Sequence, residues 1–310
     1  MKSPHMNATK GYICIIAAAL MWASSGTAGK ALFETGITPF ELVQVRVTFS
    51  AVLMAALLGI FSPRIMKIRA RDIPYFFILG GVAMAMVQIT YFYAISKIQV
   101  AAAILLQYLA PIPIALFSIV FWKERLTPLK ITAIVLAFGG CYLVVGGYNL
   151  QFLHMNRFGI MGGLASAVCF ASYSLLGERG MHRYNPWTVL FYALTFAALS
   201  WHIAYPPFHY MTAGYTWVQW GWMSYIAVIG TLLPFGLYFV GINYVRSTRA
   251  SITATLEPIS AGLIAFIVLG ETMELLQILG GILVISAIVL LQMQQEQDEM
   301  APAEIRANTE

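Results

Sequence analysis

The chain has 310 residues, 60% of them hydrophobic and 10% charged, whereas soluble domains run roughly 45–50% apolar and about 25% charged. So much apolar surface excludes an ordinary water-soluble fold. The net charge of +5 comes from basic residues scattered between apolar runs, without the basic stripe and interleaved aromatics of a nucleic-acid-binding protein.

A membrane-crossing helix needs about 20 apolar residues. Apolar runs of that size predict an all-α integral membrane protein with ten spans, at 11–31, 39–61, 74–95, 99–122, 128–147, 158–177, 187–206, 217–241, 250–270 and 274–293. Span 1 carries Trp22, Ser24 and Ser25 and ends at Lys30; span 2 opens with Pro39 and Glu41 and holds Arg46. Gln88 and Tyr91 fall in span 3, and Gln107, Tyr108, Pro111 and Pro113 in span 4. Span 6 holds Phe170, Ser172 and Tyr173, and span 7 holds His202. Span 8 holds Pro234 and Tyr238, with Asn243 just beyond it, and span 9 holds Glu257 and Pro258. The segment 294–310 is polar and acidic and reads as a disordered tail. Cys14, Cys141 and Cys169 sit inside apolar runs without metal-ligand or CxxC spacing and read as small buried hydrophobes.

Orientation follows from the loop cations. Fourteen of the 18 Lys and Arg residues fall on one side of these spans; Lys30, Lys97 and Arg157 fall on the other, and Arg46 lies within a span. The positive-inside rule then places both termini in the cytoplasm, with the chain in the inner membrane.

Shifted by 147 or 148 residues, the chain matches itself. Pro39, Tyr91-Phe92, Pro111 and Glu124 fall on Pro186, Tyr238-Phe239, Pro258 and Glu271, and Ser24 and Gly29 fall on Ser172 and Gly177. The two copies, 1–150 and 151–293, each hold five predicted spans. An odd number makes the second copy enter from the opposite face, so the halves are inverted. Inverted halves are a framework for alternating access, with solute bound near the midplane between them.

The local motifs agree with a known family. Trp22-Ala23-Ser24, Pro39 and Arg46 mark the first spans; Leu256-Glu257-Pro258, Leu269-Gly270-Glu271 and Gly280-Gly281 mark the last two. Ala110-Pro111 and Trp122-Lys123-Glu124 are a worn copy of the span 9 pattern. Over residues 10–293 the chain resembles the EamA family of the drug/metabolite transporter superfamily. The resemblance implies a solute pathway lined by spans 1, 3, 4, 6, 8 and 9. In one respect the chain departs from the related four-span multidrug exporters. They carry an acid in their first helix, and the interiors of spans 1 and 6 here have none.

An ionisable group inside a span is a functional candidate because burying it is costly. Glu257 lies eight residues into span 9, roughly 12 Å deep at about 1.5 Å per residue. It is a candidate for substrate binding, or for proton or cation coupling; the alternative is a structural Glu bonded to a neighbouring helix. Arg46 could bind an anionic group, pair with Glu41, or snorkel. Pro258, Pro111, Pro113 and Pro234 free the carbonyls of Ala254, Gln107, Leu109 and Gly230, interruptions tolerated where neighbours or a watery cavity satisfy the backbone. With Glu257 and Arg46 they form the expected coupling and gating set. Trp22, Ser24, Ser25, Gln88, Tyr91, Gln107, Tyr108, Phe170, Ser172, Tyr173, Tyr238 and Asn243 are the expected substrate lining, alongside interhelical packing as their other role. The paired glycines, among them Gly139-Gly140 and Gly280-Gly281, read as close-packing points.

These readings predict a transporter of small organic metabolites such as amino acids, working as an exporter with protons as candidate coupling ion, monomeric or homodimeric in the bilayer. Import of phosphorylated sugars or nucleotide-sugars is an alternative, disfavoured because Arg46 is the one cation deep in a span. A membrane-embedded enzyme or a non-transporting binding protein is the other. No HExxH, GxSxG or phosphate-cradling loop is present, so neither catalysis nor a metal or other cofactor is expected.

Overall fold

A computed structural model describes residues 4–98, 100–123, 127–144, 147–148, 156–264, 274–293 and 301–307. The long helices are α1 (Pro4–Glu34), α2 (Pro39–Phe61) and α3, which runs from Ile73–Phe77 through a π-helical segment, Ile78–Met84, into Ala85–Lys97. They are followed by α4 (Val100–Gln107), α5 (Pro111–Trp122), α6 (Pro128–Val144), α7 (Arg157–Met181) and α8 (Pro186–Ala204). Next, α9 runs from Trp217–Ala227 through a second π segment, Val228–Leu232, into Leu233–Thr253; α10 (Leu256–Ile264), α11 (Leu275–Met293) and α12 (Pro302–Ala307) complete the chain.

Local chemistry sets the helix starts. Thr38 accepts from the Glu41 amide, and the Glu41 carboxylate accepts from the Thr38 amide in return, with Pro39 at the first helical position. Asn156 and Asn185 cap α7 and α8, and Thr216 and Gln219 form a second reciprocal cap on α9.

Burial is inverted relative to a soluble protein. Ile13, Val52, Ile60, Val120 and Ile203 face outward, while Gln44, Arg46, Gln88, Asn243 and Glu257 are buried. That is the arrangement a lipid solvent selects, because lipid welcomes apolar side chains and offers polar ones no partner. Among the described residues seven helices are long and apolar enough to cross a membrane; 128–144 and 275–290 are apolar but shorter.

Two glycine contacts recur at the repeat spacing. Gly29 lies against the Phe92 ring, and Gly177 against the Phe239 ring, each too close for a Cβ. The α6–α11 contact needs Gly140 and Gly280, where a Cβ on either would sit 2.6 Å from the other's carbonyl oxygen. Gly139, by contrast, has open space around its Cβ position, so the packing role falls on Gly140 alone in that pair.

The chain breaks where prolines remove a donor. Between α4 and α5 the carbonyls freed by Pro111 and Pro113 take turn bonds: Ala110 N donates to Gln107 O, and Ile112 N to Leu109 O, each at 3.0 Å. Between α9 and α10, Glu257 N donates to Ala254 O at 3.0 Å. Both breaks are thus locally satisfied.

Two readings of the chain differ from the structure. Residues 242–249, expected between spans 8 and 9, are helical except at Arg246 (φ 68°, ψ 165°), so 217–253 forms one run of 37 residues that kinks there. In the tail expected to be disordered, Pro302–Ala307 is a helix with Pro302 buried. Arg306 anchors it by donating to the carbonyls of Met181 and Tyr184, groups the end of α7 leaves open. Glu124, Leu269-Gly270-Glu271 and the rest of the tail lie outside the described residues.

Candidate functional site

Helices α1, α2, α3, α4, α7, α9 and α10 meet at a tight cavity of about 30 Å³ lined by Trp22, Ser25, Arg46, Val87, Gln88, Tyr91, Gln107, Phe170, Phe235 and Glu257. The break after α9 puts Glu257 in the first turn of α10, facing this space. Its carboxylate accepts from the Tyr108 hydroxyl at 2.6 Å and from the Tyr91 hydroxyl at 3.4 Å. Tyr108 sits in the matching break between α4 and α5.

Arg46 comes from the middle of α2 and is buried. Its Nε donates to Thr231 Oγ1 and its Nη2 to the Gly230 carbonyl, both at 2.7 Å, and its guanidinium lies 4.5 Å over the Phe92 ring. Gly230 is the residue whose carbonyl Pro234 cannot serve. The irregular π segment of α9 therefore supplies the acceptors that a buried guanidinium needs. Ser50, one turn on, donates at 2.7 Å to the carbonyl of Ala227, the residue just before that segment. Pairing with Glu41 does not occur: Glu41 bonds Thr38 and lies 3.2 Å from His209 Nε2.

Arg46 and Glu257 thus bring a basic and an acidic group to one cavity, and no ion pair joins them among the described residues. Trp22 Nε1 and Gln107 Oε1, a donor and an acceptor on side chains that line this cavity, are buried with no hydrogen-bond partner among the described residues. Buried polar atoms are nearly always paired, so this lining is built for something polar. Around it Trp22 packs against Phe235 (5.0 Å), Tyr238 (5.4 Å) and Phe170 (6.0 Å), in the tilted and edge-on geometries aromatic rings prefer.

Of the predicted lining, Trp22, Ser25, Gln88, Tyr91, Gln107, Phe170 and Glu257 reach the cavity, with Tyr108 and Tyr238 one contact behind. Ser24 donates to Met21 O and accepts from Tyr225, and Ser172 donates to its own helix at Val168 O, partly exposed. Tyr173 stacks on Phe239, and Asn243 is buried off the cavity. Val87 and Phe235 are lining residues that their types did not single out.

Sequence reasoning also missed a buried ion pair. Glu178, at the end of α7, accepts from Arg246 Nε at 2.9 Å and from the Ser247 amide at 2.7 Å, and the Arg246 guanidinium lies 5.5 Å from the Trp122 ring. This acid lies one residue past the expected end of span 6, in the last turns of the helix as observed. The available signal was its repeat mate: Glu178 follows Gly177 as Lys30 follows Gly29. Lys30 reaches across in the same way, donating to Ile95 O at 2.9 Å.

The sequence matches the model of the EamA-like transporter family twice, over residues 9–146 and 157–293. It is 27% identical to the inner membrane transporter YicL of Salmonella typhimurium over 292 residues, covering 92% of this chain and 95% of that one. It is 25% identical to the threonine/homoserine exporter RhtA of Escherichia coli K12 over 228 residues, 72% of each chain. A solved crystal structure superposes with a TM-score of 0.70 at 18% identity, covering 91% of this chain and 96% of that one, and so shares the fold.

Proposed function

The chain belongs to the EamA-like transporter family, and on that premise we propose that it exports a small zwitterionic metabolite, an amino acid or close relative, across the inner membrane. The observation that carries this reading is the presence of Arg46 and Glu257, uncoupled from each other, in one buried cavity. A zwitterion answers both charges. Its carboxylate takes the Arg46 guanidinium nitrogens left over from Thr231 and Gly230, and its ammonium replaces the tyrosine hydroxyls on Glu257. Trp22 Nε1 and Gln107 Oε1 would take further polar groups, and the aromatic rings the side chain.

Sites that hold small organic molecules run to about 300–1,000 Å³, so a cavity of about 30 Å³ must widen to admit one. The breaks between α4 and α5 and between α9 and α10, and the π segments of α3 and α9, are where these helices can bend without stranding backbone donors. Such bending suits alternating access by ten spans in two inverted halves with cytoplasmic termini. The recurring Gly29–Phe92 and Gly177–Phe239 contacts support the repeat. RhtA is named for export of threonine and homoserine, which supports both the substrate class and the direction. Glu257 is then the candidate proton carrier.

Purified protein in liposomes preloaded with unlabelled amino acids, screened one by one, tests this reading. Counterflow of a labelled zwitterionic amino acid is expected. Counterflow confined to phosphorylated solutes, or chemical conversion of the solute in detergent, would overturn it.

A further inference from the structure

The end of the bundle that carries the basic loops holds a second cavity, of about 760 Å³, lined by Lys67, Arg69, His182, Arg183, Tyr184 and Arg306 among others. Three separated segments build it: the link between α2 and α3, the link between α7 and α8, and α12. Among the described residues, Asp72 brings a carboxylate beside it. Asp72 accepts from the Tyr184 hydroxyl at 2.6 Å and lies 3.5 Å from Arg183. The side chains of Lys67 and Arg69 make no hydrogen bond or ion pair among the described residues. Arg306 is pinned at the rim by the carbonyls of Met181 and Tyr184. The field inside is positive: burial, then the guanidinium groups of Arg246, Arg179, Arg306 and Arg183, hold the His182 imidazole below its usual pKa.

We propose that this cavity binds a phosphate-bearing anion. Two cations without carboxylate partners among the described residues, facing a third and fourth across a concave wall, match the charge of a phosphate, and the arginines match the fork geometry its oxygens accept. Lys67 stands six residues after Phe61 and six before Ile73, apolar residues 76% and 44% exposed on the outside of the bundle. A phospholipid could therefore seat its headgroup in the cavity and its chains on that apolar exterior; a soluble phosphate ester carries the same group. Either would bridge the first half of the chain to the second. The inference does not depend on the transport reading.

The test uses delipidated full-length protein, a neutral double variant (Lys67→Gln with Arg69→Gln) and a charge-keeping one (Lys67→Arg with Arg69→Lys). Native mass spectrometry follows adducts with phosphatidylglycerol and phosphatidylcholine, and melting curves follow inorganic phosphate. Wild type should favour phosphatidylglycerol by about tenfold, the neutral variant should lose that preference, and the charge-keeping variant should retain it. Stabilisation by inorganic phosphate in wild type and not in the neutral variant, without lipid preference, assigns the site to a soluble ester. Equal binding by wild type and the neutral variant in both assays would overturn the proposal, as would no binding in either.

Discussion

Arg46 donates through Nη2 to the carbonyl oxygen of Gly230 at 2.7 Å, and Gly230 lies four residues before Pro234. In a regular helix the amide of residue 234 would take that oxygen; proline has no amide proton, so the oxygen is open to a side chain from α2. A missing backbone donor on one helix thus becomes the acceptor that lets another bury a cation. The irregularity and the charge explain each other.

Pro234→Ala should restore a competing donor and loosen the guanidinium. A hydrogen bond to a charged group contributes about 1.5–3 kcal/mol, so the KM for a zwitterionic solute is expected to rise on the order of tenfold with the protein still folded. Initial-rate counterflow at varied solute concentration measures it. An unchanged KM would mean that the π segment alone fixes Arg46.

The Glu178–Arg246 pair, with side chains 1% and 15% exposed, holds the one non-helical residue inside α9. A non-glycine residue at φ 68° costs of order 1–3 kcal/mol and persists where neighbours over-determine it. Glu178→Gln takes the charge from this largely buried pair, for a loss of up to about 3–5 kcal/mol, and replacing both partners should recover part of it. Melting temperatures in detergent of the two single variants and the double variant decide the matter. A double variant no better than the worse single would show that the pair does not act as a unit.

His182 stands outside the spans, lowered by burial and by Arg246, Arg179, Arg306 and Arg183. Its folded-state pKa lies below the roughly 6.5 of an unfolded chain, so below about pH 6.5 the unfolded state binds more protons and stability falls. Arg183→Gln removes a nearby cation and should move the His182 titration upward. Histidine-labelled NMR, assigned by a His182→Asn control, reads the shift. A downward shift would show that Arg183 acts on His182 through structure rather than charge.

How much of this was readable beforehand follows from what each signal measures. Depth along an apolar run picks out Arg46 and Glu257, because a lone charge in such a run has few innocent explanations. Pro234 and Pro258 likewise announce freed carbonyls. Rotational position is a tertiary property, and residue type does not carry it. Ser24 and Ser172 turn to local carbonyls, while Val87 and Phe235, unremarkable by type, line the cavity. Glu178 and Arg246 were hidden for another reason: charges near span ends resemble solvated loop charges, and a buried pair there leaves no distinct mark in hydropathy. The α12 helix was hidden by the acidic composition around it, although Arg306 ties it to the end of α7.

The assignment of Arg46 to a carboxylate and of Glu257 to an ammonium is tested most directly by deleting each charge from both protein and solute. The amino acid that gives counterflow, its methyl ester and its decarboxylated amine would be compared in wild type, Arg46→Gln and Glu257→Gln liposomes. Arg46→Gln should weaken transport of the amino acid on the order of tenfold or more, the size of a lost charge-assisted bond, and leave the ester and the amine little changed. Glu257→Gln should suppress all three. Equal sensitivity of the ester and the amino acid to Arg46→Gln, or wild-type transport by Glu257→Gln at every pH, would contradict the account.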